Sequence, residues 1–193
     1  MAHIERLTDH HRTGAFSSGI TPLDNFLRNE AYLEDEYYGI TWVVVPERGS
    51  GEVMAFYTLV YPYELDEEDD EALALSAIEL RCLAVDTRYQ GTGVGTRILR
   101  GLADRILDSL DDYPIELLLL VAISRQVRAW YFSRSLGSRS TETPENRMTL
   151  YATINDLRRL RDADPVWDKN RYTLPPFFWR VDVSSSAEDA ESE

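Results

Sequence analysis

Between Ser76 and Ala122 the apolar residues change period twice, and that change restricts the chain to a small set of folds. Ser76–Val85 reads as a strand. A glycine-rich turn follows. Ile98, Leu99, Leu102, Ala103, Ile106, Leu107 and Leu110 then make one stripe at helical spacing, with Arg97, Arg100, Asp104, Arg105 and Asp108 on the other side. Pro114 bars continuation of that helix. Ile115–Ala122 is a nearly unbroken apolar run, the pattern of a strand buried on both faces.

The flanking segments extend the pattern. His3–Leu7 reads as a strand, and Thr21 as the cap of a helix with Pro22 in its first turn, Asp24 at the positive end of its dipole and Leu23, Phe26 and Leu27 on one face. Ile40–Val45 and Glu52–Val60 are strand-like, joined by a turn at Arg48-Gly49-Ser50-Gly51. Arg125–Leu136 reads as a helix ended by Gly137, Met148–Thr153 as a strand and Phe177–Val183 as a late strand. Strands first, then strand–helix–strand–helix–strand, indicate a mixed sheet in an α/β or α+β domain.

Composition excludes several functions. The 193 residues carry a net charge of -14, which repels phosphate backbones and disfavours a general nucleic-acid binder. The single cysteine, Cys82, excludes an internal disulfide and any multi-cysteine zinc site. His3, His10 and His11 all lie near the N-terminus, which removes a histidine triad or an HExxH zinc site from the body of the fold, and no metal is expected. The acidic run Asp66–Glu71 reads as a solvated loop without EF-hand spacing. No segment reaches the ~18 apolar residues of a membrane helix and the N-terminus has no apolar signal region, which points to the cytoplasm. Lysine is confined to Lys169; a high-salt cytoplasm and GC-rich codon usage explain the arginine bias equally well.

Chemistry concentrates in Tyr89-Gln90-Gly91-Thr92-Gly93-Val94-Gly95-Thr96, between strand and helix. Glycines there let backbone N–H groups approach an anion, and the helix N-terminus adds its dipole and unpaired N–H groups. A phosphate or pyrophosphate ligand is the natural inference; a tight turn without a ligand is the structural alternative. A Rossmann fingerprint fails because position 96 is Thr, and a Walker A loop fails for want of its lysine.

What remains is Gln-x-x-Gly-x-Gly at Gln90, Gly93 and Gly95, and this resembles the acyl-CoA-binding motif of the GNAT N-acetyltransferase superfamily. The longer string Leu83–Gly95 is very similar to that family's pattern. Ala15–Gly19, Leu23–Leu27 and Ala31 look like the N-terminal arrangement of its toxin-like branch. The resemblance runs to about Ala152. It implies a twisted mixed sheet, splayed between two central parallel strands and flanked by helices on both faces. It also implies acetyl-CoA as cosubstrate, with Cys82, Leu83, Ala84 and Val85 along the pantetheine, Gln90, Gly91, Thr92, Gly93, Val94, Gly95 and Thr96 at the pyrophosphate, and Gln126 near the pantetheine, an exposed helix-start residue being the alternative for Gln126. A catalytic domain over residues 1–155, an extension over 156–183 packing on the domain or a partner, and a disordered acidic tail over 184–193 are expected. The aromatic stretch Tyr172–Trp179 falls in the extension, folding back on its own domain or covering a sheet edge or partner.

Direct acyl transfer needs a neutral amine, donors for the developing oxyanion and a proton for the leaving thiolate. Members of the family usually place a tyrosine four residues before a Gly-Phe pair. Here the corresponding position is Ser133, Gly137 is followed by Ser138, and Tyr131 lies two residues away, turned by about 200° on a helix. The expected acid is therefore missing or displaced: Tyr131 should face the other way unless the helix is distorted, and Ser133 is the candidate for holding a water or hydrogen-bonding the sulfur, with a polar helix-surface residue the alternative. Glu79 is the candidate base, an ion pair with Arg81 being the alternative. Cys82 reads as a small core residue.

Three functions fit this reading. The first is an N-acetyltransferase acting on a primary amine, for which a cationic small molecule or peptide suits the acidic surface; the resemblance leaves a homodimer open, since members of the family are commonly dimers. The second, implied by the toxin-like branch, acetylates aminoacyl-tRNA and is restrained by an antitoxin; Arg97, Arg100, Arg105, Arg125, Arg128 and Arg134 would have to supply a local basic face. The third is a catalytically weak CoA-binding or partner-binding module.

Overall fold

The computed structural model describes residues 2–33, 39–60, 77–111, 115–134, 136, 139–142 and 148–162. Seven strands form one sheet, β1 (His3–Arg6), β2 (Ile40–Val45), β3 (Ala55–Val60), β4 (Ala77–Val85), β5 (Leu117–Ala122), β6 (Arg139–Glu142) and β7 (Met148–Thr153), in the spatial order β1-β2-β3-β4-β5-β7-β6. All neighbours are antiparallel except the central pair β4–β5, which the helix α2 (Val94–Asp108) links as a crossover. The expected mixed sheet is present, with helices on both faces.

The β-branched run of β2 packs against β3, and the buried hydroxyls of Thr41 and Thr58, 2.8 Å apart, mark their register. On one face, Leu27 and Ala31, at and beyond the end of α1 (Thr21–Asn29), meet Val43, Val45, Phe56, Cys82 and Ala84. On the other, α2, α3 (Arg125–Phe132) and α4 (Ile154–Asp162) cover Ile78, Leu80, Leu118 and Leu120. No helix of the described residues is long and apolar enough to cross a membrane.

Several expectations are corrected. Thr21 is the first residue of α1 rather than its cap; Ile20 holds the cap position, and Asp24 turns inward to accept from Ser18 N and Oγ at 2.8 and 2.6 Å. Asp104 is buried although its position on the helix looked solvent-facing, because α4 packs along α2 and widens the covered arc. In β5, Leu118, Leu120 and Ala122 are buried but Leu117, Leu119 and Val121 only half so, since α1 lies under β2–β4 and does not reach that side. α3 stops at Phe132, where Arg134 N and Leu136 N both return to Tyr131 O.

β6 and α4 are elements that the apolar pattern did not disclose. α4 crosses the expected division at residue 155, and its Leu157 and Leu160 are part of the core. Pro114, Asp66–Glu71, Phe177–Val183, Tyr172–Trp179 and the tail 184–193 lie outside the described residues.

Candidate acyl-CoA site

The site begins with an irregularity in β4. Opposite β3 the register shifts so that Thr58 faces Cys82 and Leu59 faces Leu80, leaving Arg81 as an extra residue. An inserted residue reverses which face each later side chain meets. Ile78 and Leu80 therefore share the α2 side with Leu83 and Val85, while Cys82 and Ala84 turn to the α1 side. Pairing of β4 with β5 ends at Leu80–Leu120. Beyond that point β4 stays paired with β3, and β5 with β7, so the two central strands part. The parting opens beside Cys82–Val85, and among the described residues no strand pairs with the β5-facing edge there.

The loop leaving β4 is held from below. Asp86 is 1% exposed. Its carboxylate accepts from Ser17 N at 3.1 Å, Arg88 N at 2.9 Å and the Arg88 guanidinium at 2.8 and 3.1 Å. Burial pushes that carboxyl up, but the hydrogen bonds from Arg88 and Ser17 outweigh it and hold the group below the ordinary carboxylate range. The Gln90 amide donates to Ser18 O and Val85 O, both at 2.9 Å, which makes its side chain a strut. Tyr89 and Arg88 both reach Glu52.

On this support the glycines take the shapes that anion binding requires. Gly91 and Gly93 have φ of 76° and 84°, a region that side chains rarely adopt, and among the described residues nothing lies within 4 Å of where a Cβ would stand on either. Gly93 occupies the N-cap of α2, and no side chain among the described residues caps it. The N–H groups of Val94, Gly95 and Thr96, with no i−4 partner in the helix, are thus available to an anion. Gly95 is needed for another reason, because a Cβ there would stand 3.3 Å from Trp130 Cζ2. Trp130 is in turn pinned by Arg134, whose guanidinium lies 4.1 Å over its ring and whose Nε donates to Thr96 Oγ1 at 2.9 Å. This α3-to-α2 clasp was missed in the sequence, where an arginine 38 residues after a threonine carries no local signal.

The candidate acids point in opposite directions. Ser133 is exposed at the end of α3; its Oγ donates to Trp130 O at 2.8 Å and accepts from Arg134 Nη1 at 2.9 Å. Tyr131 is buried. Burial, with the Cys82 thiol nearby as a smaller cause, drives its phenol far above the ordinary tyrosine range. It therefore stays protonated. Glu79 lies before the bulge and pairs with Arg81 at 3.1 Å, as the ion-pair alternative anticipated. Gln126 is exposed in the first turn of α3. Cys82 is buried, in line with a core role.

The family model described as Acetyltransferase (GNAT) family matches residues 5–137. The chain belongs to the GNAT acetyltransferases. A "tRNA-acetylating toxin" of Mycobacterium tuberculosis is 30% identical over 132 residues, which are 65% of this chain and 78% of that protein. Among solved structures, AtaTR bound with AcCoA superposes with a TM-score of 0.66 at 21% identity, covering 82% of this chain and 97% of that one. AtaT complexed with acetyl-methionyl-tRNAfMet gives 0.64 at 18% identity over 83% and 99% of the two chains. The KacTA–DNA complex gives 0.66 at 18% over 85% and 100%. The resemblance to the toxin-like branch is thereby borne out, and this GNAT chain is an N-acetyltransferase that uses acetyl-CoA. The open strand edge, uncapped helix start and unobstructed glycines fit that cosubstrate.

Proposed function

We propose that this acetyltransferase moves the acetyl group directly to the amino group of an aminoacyl-tRNA, and that a small antitoxin holds it in check. The observation that carries the proposal is the 30% identity to a tRNA-acetylating toxin. The proposal includes a cytoplasmic, homodimeric protein.

Acetyl-CoA supplies an acetyl group activated as a thioester. In the proposed site, the N–H groups of Val94–Thr96 hold the pyrophosphate, and the β5-facing edge of β4 at Cys82–Val85 aligns the pantetheine arm. Backbone N–H groups near Leu83 and Ala84 stabilise the oxyanion. Tyr131, kept protonated by burial, donates toward the leaving sulfur. A thiol of ordinary pKa, about 8.5, leaves readily enough that no stronger acid is required. Glu79 acts as the base, through water, when the incoming amine displaces Arg81.

A net charge of -14 opposes an RNA acceptor and favours the second reading, a small cationic amine. Locally the balance differs. Arg134 is held below the ordinary arginine range by burial first and by the charge of Arg100 second, which supports two neighbouring cations beside Thr96 at the start of α2. The test is transfer from radiolabelled acetyl-CoA to aminoacylated tRNA, deacylated tRNA, polyamines and basic peptides at two salt concentrations. Label confined to aminoacylated tRNA and weakened by salt supports the proposal. Label confined to polyamines or peptides replaces it with the second reading.

A further inference from the structure

The loop that follows β1 folds back on the strand and gathers Glu5, His10 and His11, with one potential ligand atom from each within 4.8 Å of the others. We propose that these three side chains form a site for one divalent transition-metal ion, zinc being the fitting example, which ties the first strand to the β2–β3 turn. Two imidazoles and a carboxylate are a donor set suited to zinc.

His11 makes the case. Its side chain is fully buried, yet among the described residues Nε2 has no hydrogen-bond partner and faces Glu5 Oε2 at 3.7 Å. That gap is too long for a hydrogen bond. It is close to the separation of about 3.3 Å between two atoms bound tetrahedrally to one zinc at 2.0–2.1 Å. Glu5 is already oriented toward the histidines, because Gly49 N donates to its Oε1 at 2.8 Å and leaves Oε2 on their side. His10 is exposed, its ring tilted by 40° to that of His11 with centroids 3.9 Å apart, and its Nδ1 lies 2.6 Å from Thr8 Oγ1, so a ring rotation releases that contact and brings a nitrogen in.

The proton inventory closes without a change of charge on the ring. Thr8 N–H donates to His11 Nδ1 at 3.0 Å, which places the ring proton on Nε2. Metal binding at Nε2 moves that proton to Nδ1, where Thr8 O, 3.2 Å away, accepts it, and the Thr8 N–H then has to turn away from Nδ1. The freed Nε2 lone pair goes to the ion, and the carbonyl becomes the outer partner that orients the ring. A fourth position is left to water on the His10 side. The site stands apart from the acyl-CoA loop, but the chain runs from it directly to Ser17 and Ser18, which brace Asp86 and Gln90.

The test uses full-length, tag-free protein stripped with EDTA, titrated with Zn(II) by calorimetry and with Co(II) by visible absorption. One equivalent of zinc binding tighter than about 10 µM is expected, with the strong visible bands of four-coordinate cobalt. His10→Ala and Glu5→Gln should each weaken binding at least tenfold, while His3→Ala should not. Both test variants spare the buried His11, and equal unfolding midpoints in the metal-free state show that the fold is intact. No zinc heat and no cobalt bands, or undiminished affinity in His10→Ala, overturns the proposal.

Discussion

The loop after β4 and the end of α3 border the same opening, yet they are built differently. The loop is fixed by partners far away in the chain: Ser17 holds Asp86, and Ser18 holds Gln90 across 72 residues. The end of α3 is fixed mostly by itself, through Ser133 Oγ to Trp130 O and Arg134 Nη1 to the same carbonyl. A loop braced at long range can present bare N–H groups in one fixed shape. A helix end that satisfies itself can change its residues without disturbing that shape. Function at the loop should therefore fail through binding, and function at α3 through rate.

The largest effect should come from Gly93→Asp. Asp tolerates positive φ better than most residues, and the space above Gly93 is open, so the fold should survive. The carboxylate would occupy the N–H groups of the uncapped helix start and repel a pyrophosphate. Calorimetry should show acetyl-CoA affinity falling by at least about 10³-fold, with the unfolding midpoint unchanged or raised. Retained affinity would show that the loop does not hold the phosphates.

Next in size is Asp86→Ala. It strands Ser17 N and Arg88 N, at a cost of about 3 kcal/mol in denaturant unfolding. The pH dependence has a definite sign. The folded pKa of Asp86 lies below its unfolded value, so its contribution is complete above the unfolded value of about 4 and is lost as pH falls through the folded one. Wild type and Asp86→Ala should therefore converge in stability on acidification below that range. A constant difference down to strong acid would mean that the carboxylate is not what holds the loop.

The two regions also differ in how far the sequence disclosed them. Glycines at 91, 93 and 95 sit between a strand and an amphipathic helix, and each answers a local backbone requirement, so the loop was readable as a motif. The parallel pair was readable from the same segment, because a strand–helix–strand order with apolar ends permits little else. The bulge at Arg81 was not readable, since nothing in Glu79–Leu83 breaks the strand pattern and only the mismatch with β3 reveals the extra residue. The early stop of α3 was hidden for a similar reason. The apolar spacing continues to Leu136, but that residue is buried by a turn and not by a further helical turn. α4 escaped notice because its sequence is dominated by charge; Leu157 and Leu160 are enough to dock it once β7 has brought it onto α2.

Tyr131→Phe separates rate from binding. The ring stays, so packing and acetyl-CoA affinity should hold, while kcat falls by about 10²-fold. The phenol is protonated well beyond the working range, so the loss should be the same from pH 6 to 9 in a pH–rate profile. A parallel loss of acetyl-CoA affinity would move Tyr131 from chemistry to support, and the contrast between loop and helix would blur.

Ser133→Ala should do least. Its hydroxyl is spent on Trp130 O and the Arg134 guanidinium at an exposed turn. Arg134 keeps Trp130 O at 2.9 Å, Thr96 Oγ1 at 2.9 Å and its seat over the Trp130 ring when the serine is gone. Surface changes of this kind stay within about 0.5 kcal/mol, or roughly twofold in kcat/KM. Steady-state kinetics of the single variant, beside Tyr131→Phe, decides which of the two residues near the end of α3 serves the leaving sulfur. A drop of tenfold or more in Ser133→Ala with Tyr131→Phe intact would require the turn to open on substrate binding and swing Ser133 inward. The clasp from Arg134 to Thr96 would have to break for that to happen. Arg134→Met would then raise the activity of the wild-type serine by removing the latch, whereas a static turn predicts no gain.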